Sequence, residues 1–163
     1  MIITIKNKNT LILDDFKFKC CVGKYGITKY KVEGDKKTPK GTYGLDNLYF
    51  RKDKFPKLDT KLKTIPITKK MGWCDDVKNK NYNKLIRVSN KIKHEKIFRK
   101  DSNYDLMIPI KYNMISPKKN RGSAIFLHLT KNYKKTLGCV AIQKKDMLIL
   151  VKLIDKKTKI KII

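Results

Sequence analysis

Residues 122–142 read Gly122-Ser-Ala-Ile-Phe-Leu-His128-Leu-Thr-Lys-Asn-Tyr-Lys-Lys-Thr-Leu-Gly138-Cys139-Val-Ala-Ile142. Ala124 to Leu129 is a short apolar run, the pattern of a buried strand, and His128 is its one polar member. Lys131 to Lys135 is a short polar connection, after which the chain returns to Gly138-Cys139. A strand and a returning loop of this length bring the imidazole and the thiol side by side. A thiol is a weak nucleophile until ionised, and a neighbouring imidazole can take its proton or stabilise the thiolate. Gly138 permits close backbone approach, and inward-turned amides there would donate to an oxyanion. A buried free thiol beside a hydrogen-bonded histidine fits the same spacing. One Cys and one His do not separate the two readings.

Outward from this stretch the chain reads as short strands. Ile2 to Ile5, Thr10 to Leu13, Phe16 to Val22 and Thr28 to Val32 are candidates, with Gly23, Gly26, Gly34 and Gly41 as turns. Leu106 to Ile110 reads as another buried strand, and Thr158 to Ile163 as the last. Lys52 to Tyr82, with Pro56 and Pro66, shows no sustained period and reads as irregular. Lys91 to Lys100 has spacing for a short helix, carrying a solvated His94. Asp146 to Ile154 is too rich in Leu for a strand and reads as a buried helix. Many strands with one or two short helices make a mainly β domain, and 163 residues suffice for one such domain, 1–163.

The net charge is +27. A nucleic-acid binder would use such a charge, but Arg51, Arg87, Arg99 and Arg121 are the only arginines, and the lysines are spread along the chain. A solvated lysine surface is the simpler reading, and no specific nucleic acid is expected. An anionic polymer as substrate would also suit this charge. Cys20, Cys21, Cys74 and Cys139 lack the spacing of a disulfide framework or a zinc site, so no metal and no cofactor is expected. On a strand, Cys20 and Cys21 would point to opposite faces. No stretch is long and apolar enough to cross a membrane, and the first residues show no export signal.

Thr136-Leu-Gly138-Cys139-Val140, preceded by His128, resembles the catalytic signature of the L,D-transpeptidases, the YkuD-type domain. In that signature a His precedes a Ser/Thr-His-Gly-Cys-hydrophobic-Asn block. Gly34-Asp-Lys-Lys-Thr-Pro-Lys-Gly-Thr-Tyr43 is similar to a hairpin near the start of the same domain. The likeness continues through Gly72-Trp-Cys-Asp-Asp76 and Arg121 to His128, and so spans most of the chain. Leu137 replaces the signature His, Ala141 replaces its Asn, and the interval from His128 to Thr136 is shorter than usual. These departures resemble a proteobacterial subgroup reading Ser/Thr-x-Gly-Cys-hydrophobic-Ala.

The resemblance implies a YkuD-like β-sandwich or barrel and a cysteine acyl transfer on peptidoglycan stem peptides in the cell envelope. Cys139 is then the nucleophile and His128 the base, with Gly138 and Thr136 shaping the oxyanion loop. Arg121 is a candidate for a substrate carboxylate, or for a surface ion pair. Asp75 and Asp76 are candidates for a substrate ammonium, or for capping a turn. Trp73 is a lid aromatic or plain core. Thr42 and Tyr43 read as architectural parts of the hairpin.

Overall fold

The computed structural model describes residues 1–163. In chain order the strands are β1 (Ile2–Lys6), β2 (Thr10–Leu13), β3 (Phe16–Cys21), β4 (Ile27–Thr28), β5 (Thr38–Pro39), β6 (Gly41–Gly44), β7 (Leu48–Phe50) and β8 (Thr64–Pro66). They continue with β9 (Met71–Cys74), β10 (Leu85–Arg87), β11 (His94–Lys96), β12 (Leu106–Pro109), β13 (Phe126–Leu129) and β14 (Val140–Ile142). The single helix α1 (Lys144–Leu153) and the last strand β15 (Lys159–Ile162) complete the chain. The domain is mainly β, as the sequence indicated.

Ten strands form one sheet in the order β6-β15-β1-β2-β3-β14-β13-β12-β7-β8. One half alternates: Ile3, Ile5, Leu11, Leu13, Ile160 and Ile162 turn inward, while Thr4 and Ile12 between them are half-buried and Lys161 faces water. Asn7 and Lys8, both with positive φ, make the tight β1–β2 turn whose twist suits a hairpin. The other half, β12 to β14, is buried on both faces. Ile108, Leu127, Leu129, Val140 and Ile142 meet the inward residues of the first half in one core, so the sheet curls over its own apolar face. Helix α1 adds Met147, Leu150 and Val151, spaced as one helical stripe. Asp146 in its first turn and Lys152 in its last complement the helix dipole.

Four expectations change. Lys91 to Lys100 is not a helix: β11 occupies its centre, paired with β9, and the apparent helical spacing came from a strand flanked by turns. His94 is half-buried there rather than solvated, with Nδ1 2.7 Å from the Ile92 carbonyl. Thr28 to Val32 is strand only at its start, because Lys31 turns inward to pair with Asp35 at 2.6 Å. The stretch from Lys52 to Tyr82 holds β8 and β9, too short to show a period. Cys20 and Cys21 do face opposite ways: Cys20 joins the main core, while Cys21 lies opposite Ala141 on the other face.

Candidate active site

Strand β13 decides the site because its two faces are used differently. Leu127 and Leu129 enter the main core, and Phe126 and His128 point the other way. Cross-strand partners share a face, and the register therefore sets Tyr49, Met107, His128, Ala141 and Cys21 in one row across the sheet. β14 runs parallel to β13, so the loop after β13 returns to that strand's start and delivers Cys139 beside Phe126. Cys139 and His128 thus occupy the same face; Cys139 lies in a second, smaller core with Tyr49, Trp73, Tyr104 and Phe126, and His128 packs on Tyr104.

The thiol is held from both sides. Its sulfur accepts the Phe126 N–H at 3.3 Å and its S–H donates to the Ala124 carbonyl at 3.3 Å. Ala124 adopts the left-handed conformation, and its N–H donates to Asn83 Oδ1 at 3.0 Å. The same oxygen accepts Trp73 Nε1–H at 2.9 Å, while Asn83 Nδ2 donates to the carbonyls of Tyr112 and Asn113. Asn83 is a buried hub that nothing in the sequence marked, since a single Asn beside Lys84 looks like loop.

The two sequence signatures meet at the Cys139 carbonyl. Thr136 Oγ1 donates to it at 2.6 Å and Thr38 Oγ1, from the hairpin signature, reaches it at 3.5 Å. Thr136 Oγ1 also accepts Gly138 N–H at 3.1 Å, and Thr38 Oγ1 accepts Gly23 N–H at 2.8 Å. Gly138 has φ +141, and a Cβ there would sit 3.0 Å from the Lys37 carbonyl, so the loop requires glycine. Asp35 of the same hairpin holds Lys31 inside and accepts the Val32 and Lys37 amides.

His128 Nδ1 lies 2.8 Å from the Leu129 carbonyl. A carbonyl only accepts, so Nδ1 carries the proton and Nε2 keeps its lone pair, the tautomer a general base needs. The ring meets Tyr104 edge-on at 5.0 Å, and Tyr104 in turn meets Phe126. Tyr104 is fixed by its hydroxyl, which donates to Glu95 at 3.0 Å. Burial pushes His128 down to about 4, partly opposed by its bond to Leu129. Burial pushes the Cys139 thiol up to about 12, opposed by the Phe126 amide and by the Lys31 charge. Both groups are therefore neutral at rest. At rest the Cys139 S–H is given to the Ala124 carbonyl, and no hydrogen bond joins the thiol to His128.

A family model described as YkuD, L,D-transpeptidase catalytic domain, matches residues 2–162. The chain belongs to that family. No curated protein matches it. In this YkuD domain the two departures from the signature have different settings. Ala141 is fully buried between His128 and Cys21, where a methyl fills the row. Leu137 is 73% exposed at the loop tip.

The remaining candidates separate. Trp73 is core, 2% exposed and packed on Phe126 at 5.3 Å. Asp76 closes a turn by accepting the Lys78 amide at 2.9 Å. Asp75 Oδ2 lies 3.9 Å from Lys93 Nζ, while its buried Oδ1 has no partner. Burial raises the Asp75 carboxyl, opposed by Lys93 and reinforced by Glu33. Arg121 is exposed and forms no ion pair; its carbonyl accepts the Tyr112 hydroxyl. Thr42 and Tyr43 lie in β6, with the Tyr43 hydroxyl closing the hairpin on the Lys40 carbonyl at 2.7 Å.

Proposed function

We propose that residues 1–163 act as one cysteine-dependent L,D-transpeptidase domain on peptidoglycan stem peptides. The observation that carries this reading is Cys139 at the head of β14, on the face shared with a His128 whose Nδ1 is committed and whose Nε2 is basic. In the first step Cys139 Sγ attacks the carbonyl of an L-centre bonded to a D-residue, and its proton passes to His128 Nε2. The C–N bond then breaks, the proton leaves with the D-amine, and a thioester remains. In the second step a stem-peptide amine, the side-chain amine of diaminopimelate, attacks the thioester. Its proton returns through His128, giving a cross-link and a free thiol.

Gly138 N–H is committed to Thr136 Oγ1, so within this loop the Cys139 amide is the candidate oxyanion donor. Thr136 and Thr38 act as positioning residues through the Cys139 carbonyl. Asp75, with its free oxygen, is the better placed of the two acids to receive an ammonium, and Arg121 is available to a carboxylate. The product would serve wall cross-linking and cell shape in the envelope; no helix is long and apolar enough to cross a membrane. Resolution of the thioester by water would make the same machinery an L,D-carboxypeptidase or endopeptidase. One observation favours a wall-binding module without chemistry, namely the buried, neutral thiol.

Mass spectrometry of disaccharide-peptides incubated with wild type and with Cys139→Ser decides among these readings. A cross-linked dimer made only with Cys139 establishes transfer, and loss of a D-residue alone establishes hydrolysis. Binding without thioester or product, across all stem lengths, leaves the wall-binding module.

A further inference from the structure

A cavity of about 470 Å³ lies beside this loop, between the β1–β2 and β3–β4 turns and the segment 132–135. Its wall carries Lys8, Lys19, Lys24 and Lys135 with Tyr25 and Tyr133, and no carboxylate. None of the four lysines takes part in an ion pair, as for most lysines of this chain; what sets these four apart is that they converge on one concave wall. Lys19 Nζ sits 4.6 Å from the Tyr133 ring centre and Lys24 Nζ 5.4 Å from that of Tyr25, so the rings restrain two of the charges. Tyr133 holds its position with φ +52, a conformation costing a side-chain-bearing residue about 1–2 kcal/mol. Such strain persists where surrounding structure enforces it, often at ligand sites.

Neither Cys139 nor His128 lines the cavity; it is linked to them through its wall residues. Gly23 in its wall bridges to Thr136, and Lys24 N–H donates to the Thr136 carbonyl at 2.9 Å. Thr136 in turn holds the Cys139 carbonyl. Cys21, also in the wall, belongs to the same cross-sheet row as His128.

We propose that this cavity is an anion subsite that receives the carboxylates of an acidic peptide, the segment of the donor chain next to the acyl-transfer point. The inference rests on the transpeptidase reading for the identity of that peptide. The size suits a short peptide segment rather than an extended polyanion. Unpaired ammonium groups around a concave wall concentrate positive potential where a carboxylate would otherwise lose its hydration without compensation.

The test measures binding of a disaccharide-tetrapeptide with free carboxylates, and of the same fragment fully amidated, by calorimetry on the full chain carrying Cys139→Ser. The pocket variant Lys19→Gln/Lys24→Gln/Lys135→Gln is compared with Lys57→Gln/Lys80→Gln/Lys156→Gln, which removes the same charge at exposed sites elsewhere. All six residues are exposed, and thermal melting confirms the fold of each variant. The pocket variant should bind the acidic fragment about tenfold more weakly and the control less than twofold. The corresponding triple Lys→Arg variant should bind within twofold of the parent, since it keeps the charge. The amidated fragment should bind weakly to all proteins.

Equal weakening in pocket and control variants, equal affinity for the amidated fragment, or no binding of either fragment overturns the proposal. So does displacement by inorganic polyphosphate at concentrations a hundredfold below those of the acidic peptide, which would assign the cavity to phosphate. Thioester formation on Cys139 in the otherwise wild-type chain is read separately. Pocket-dependent binding without thioester overturns the transpeptidase reading and leaves the subsite. Thioester formation with an unchanged KM in the pocket variant does the reverse.

Discussion

The two faces of β13 and β14 have the same backbone and opposite uses. On one face Leu127, Leu129, Val140 and Ile142 join a core of 25 buried residues, all apolar. On the other, Phe126 and Cys139 belong to a group of 8 buried residues against which His128 packs through Tyr104, with polar contacts from Asn83, Glu95 and Thr38 around it. The large core can lose an atom only at a cost in stability. The small one holds polar groups whose burial itself costs free energy, and that cost sets their acid–base behaviour. A strand buried on both faces lets one segment of sequence separate the main core from the candidate site by its alternation.

This contrast can be broken or sharpened by substitution. Cys139→Ala should lower acyl transfer by about 10⁴-fold or more while leaving thermal stability near that of the wild type, as measured by product formation and melting. Leu127→Ala, one residue from His128 on the opposite face, should cost about 2–5 kcal/mol in denaturant unfolding with the thiol chemistry of the folded fraction intact. A Leu127 variant with full stability and no activity would show that the faces are not separable.

The buried histidine gives a pH signature. Its folded-state value of about 4 lies below the ordinary 6.5. The unfolded chain therefore binds the extra proton first, so stability is full above pH 6.5 and is lost as pH falls towards 4. The loss should be about 3 kcal/mol, and His128→Gln should remove most of it. For Cys139, raised towards 12 from 9, the sign reverses: stability holds below pH 9 and declines above it. Thr38→Val should cost about 1–3 kcal/mol by orphaning the Gly23 amide, and should lower kcat by releasing the Cys139 carbonyl. The smallest effect belongs to Leu137→Gln, within about 0.5 kcal/mol of wild-type stability, because the side chain is already in water.

Strands with clean alternation were legible: β2 falls at Thr10–Leu13, where the sequence placed it, and α1 overlaps its expected span. Strands of two to four residues between turns were not, because a period needs more positions to show. That is why β9 is hidden in a stretch that reads as irregular, and why the sequence around β11 reads as helical. Spacing alone does not favour the Cys139–His128 pairing over a structural thiol; the resemblance of two motifs in order does. Asn83 had no signal at all, since it acts through partners far along the chain, whereas Lys31 pairs locally with Asp35 but looks like any other lysine of a basic chain.

The sequence by itself determined which residues alternate, where glycine was required, and which two signatures belong together, because these depend on neighbours along the chain. Only the tertiary structure decided that Thr38 reaches the Cys139 carbonyl, that Asn83 holds Ala124, and that burial pushes the thiol up and the imidazole down. Those outcomes follow from burial and from contacts across distant strands. Desolvation is a property of everything packed around a group, and no local stretch of sequence contains it.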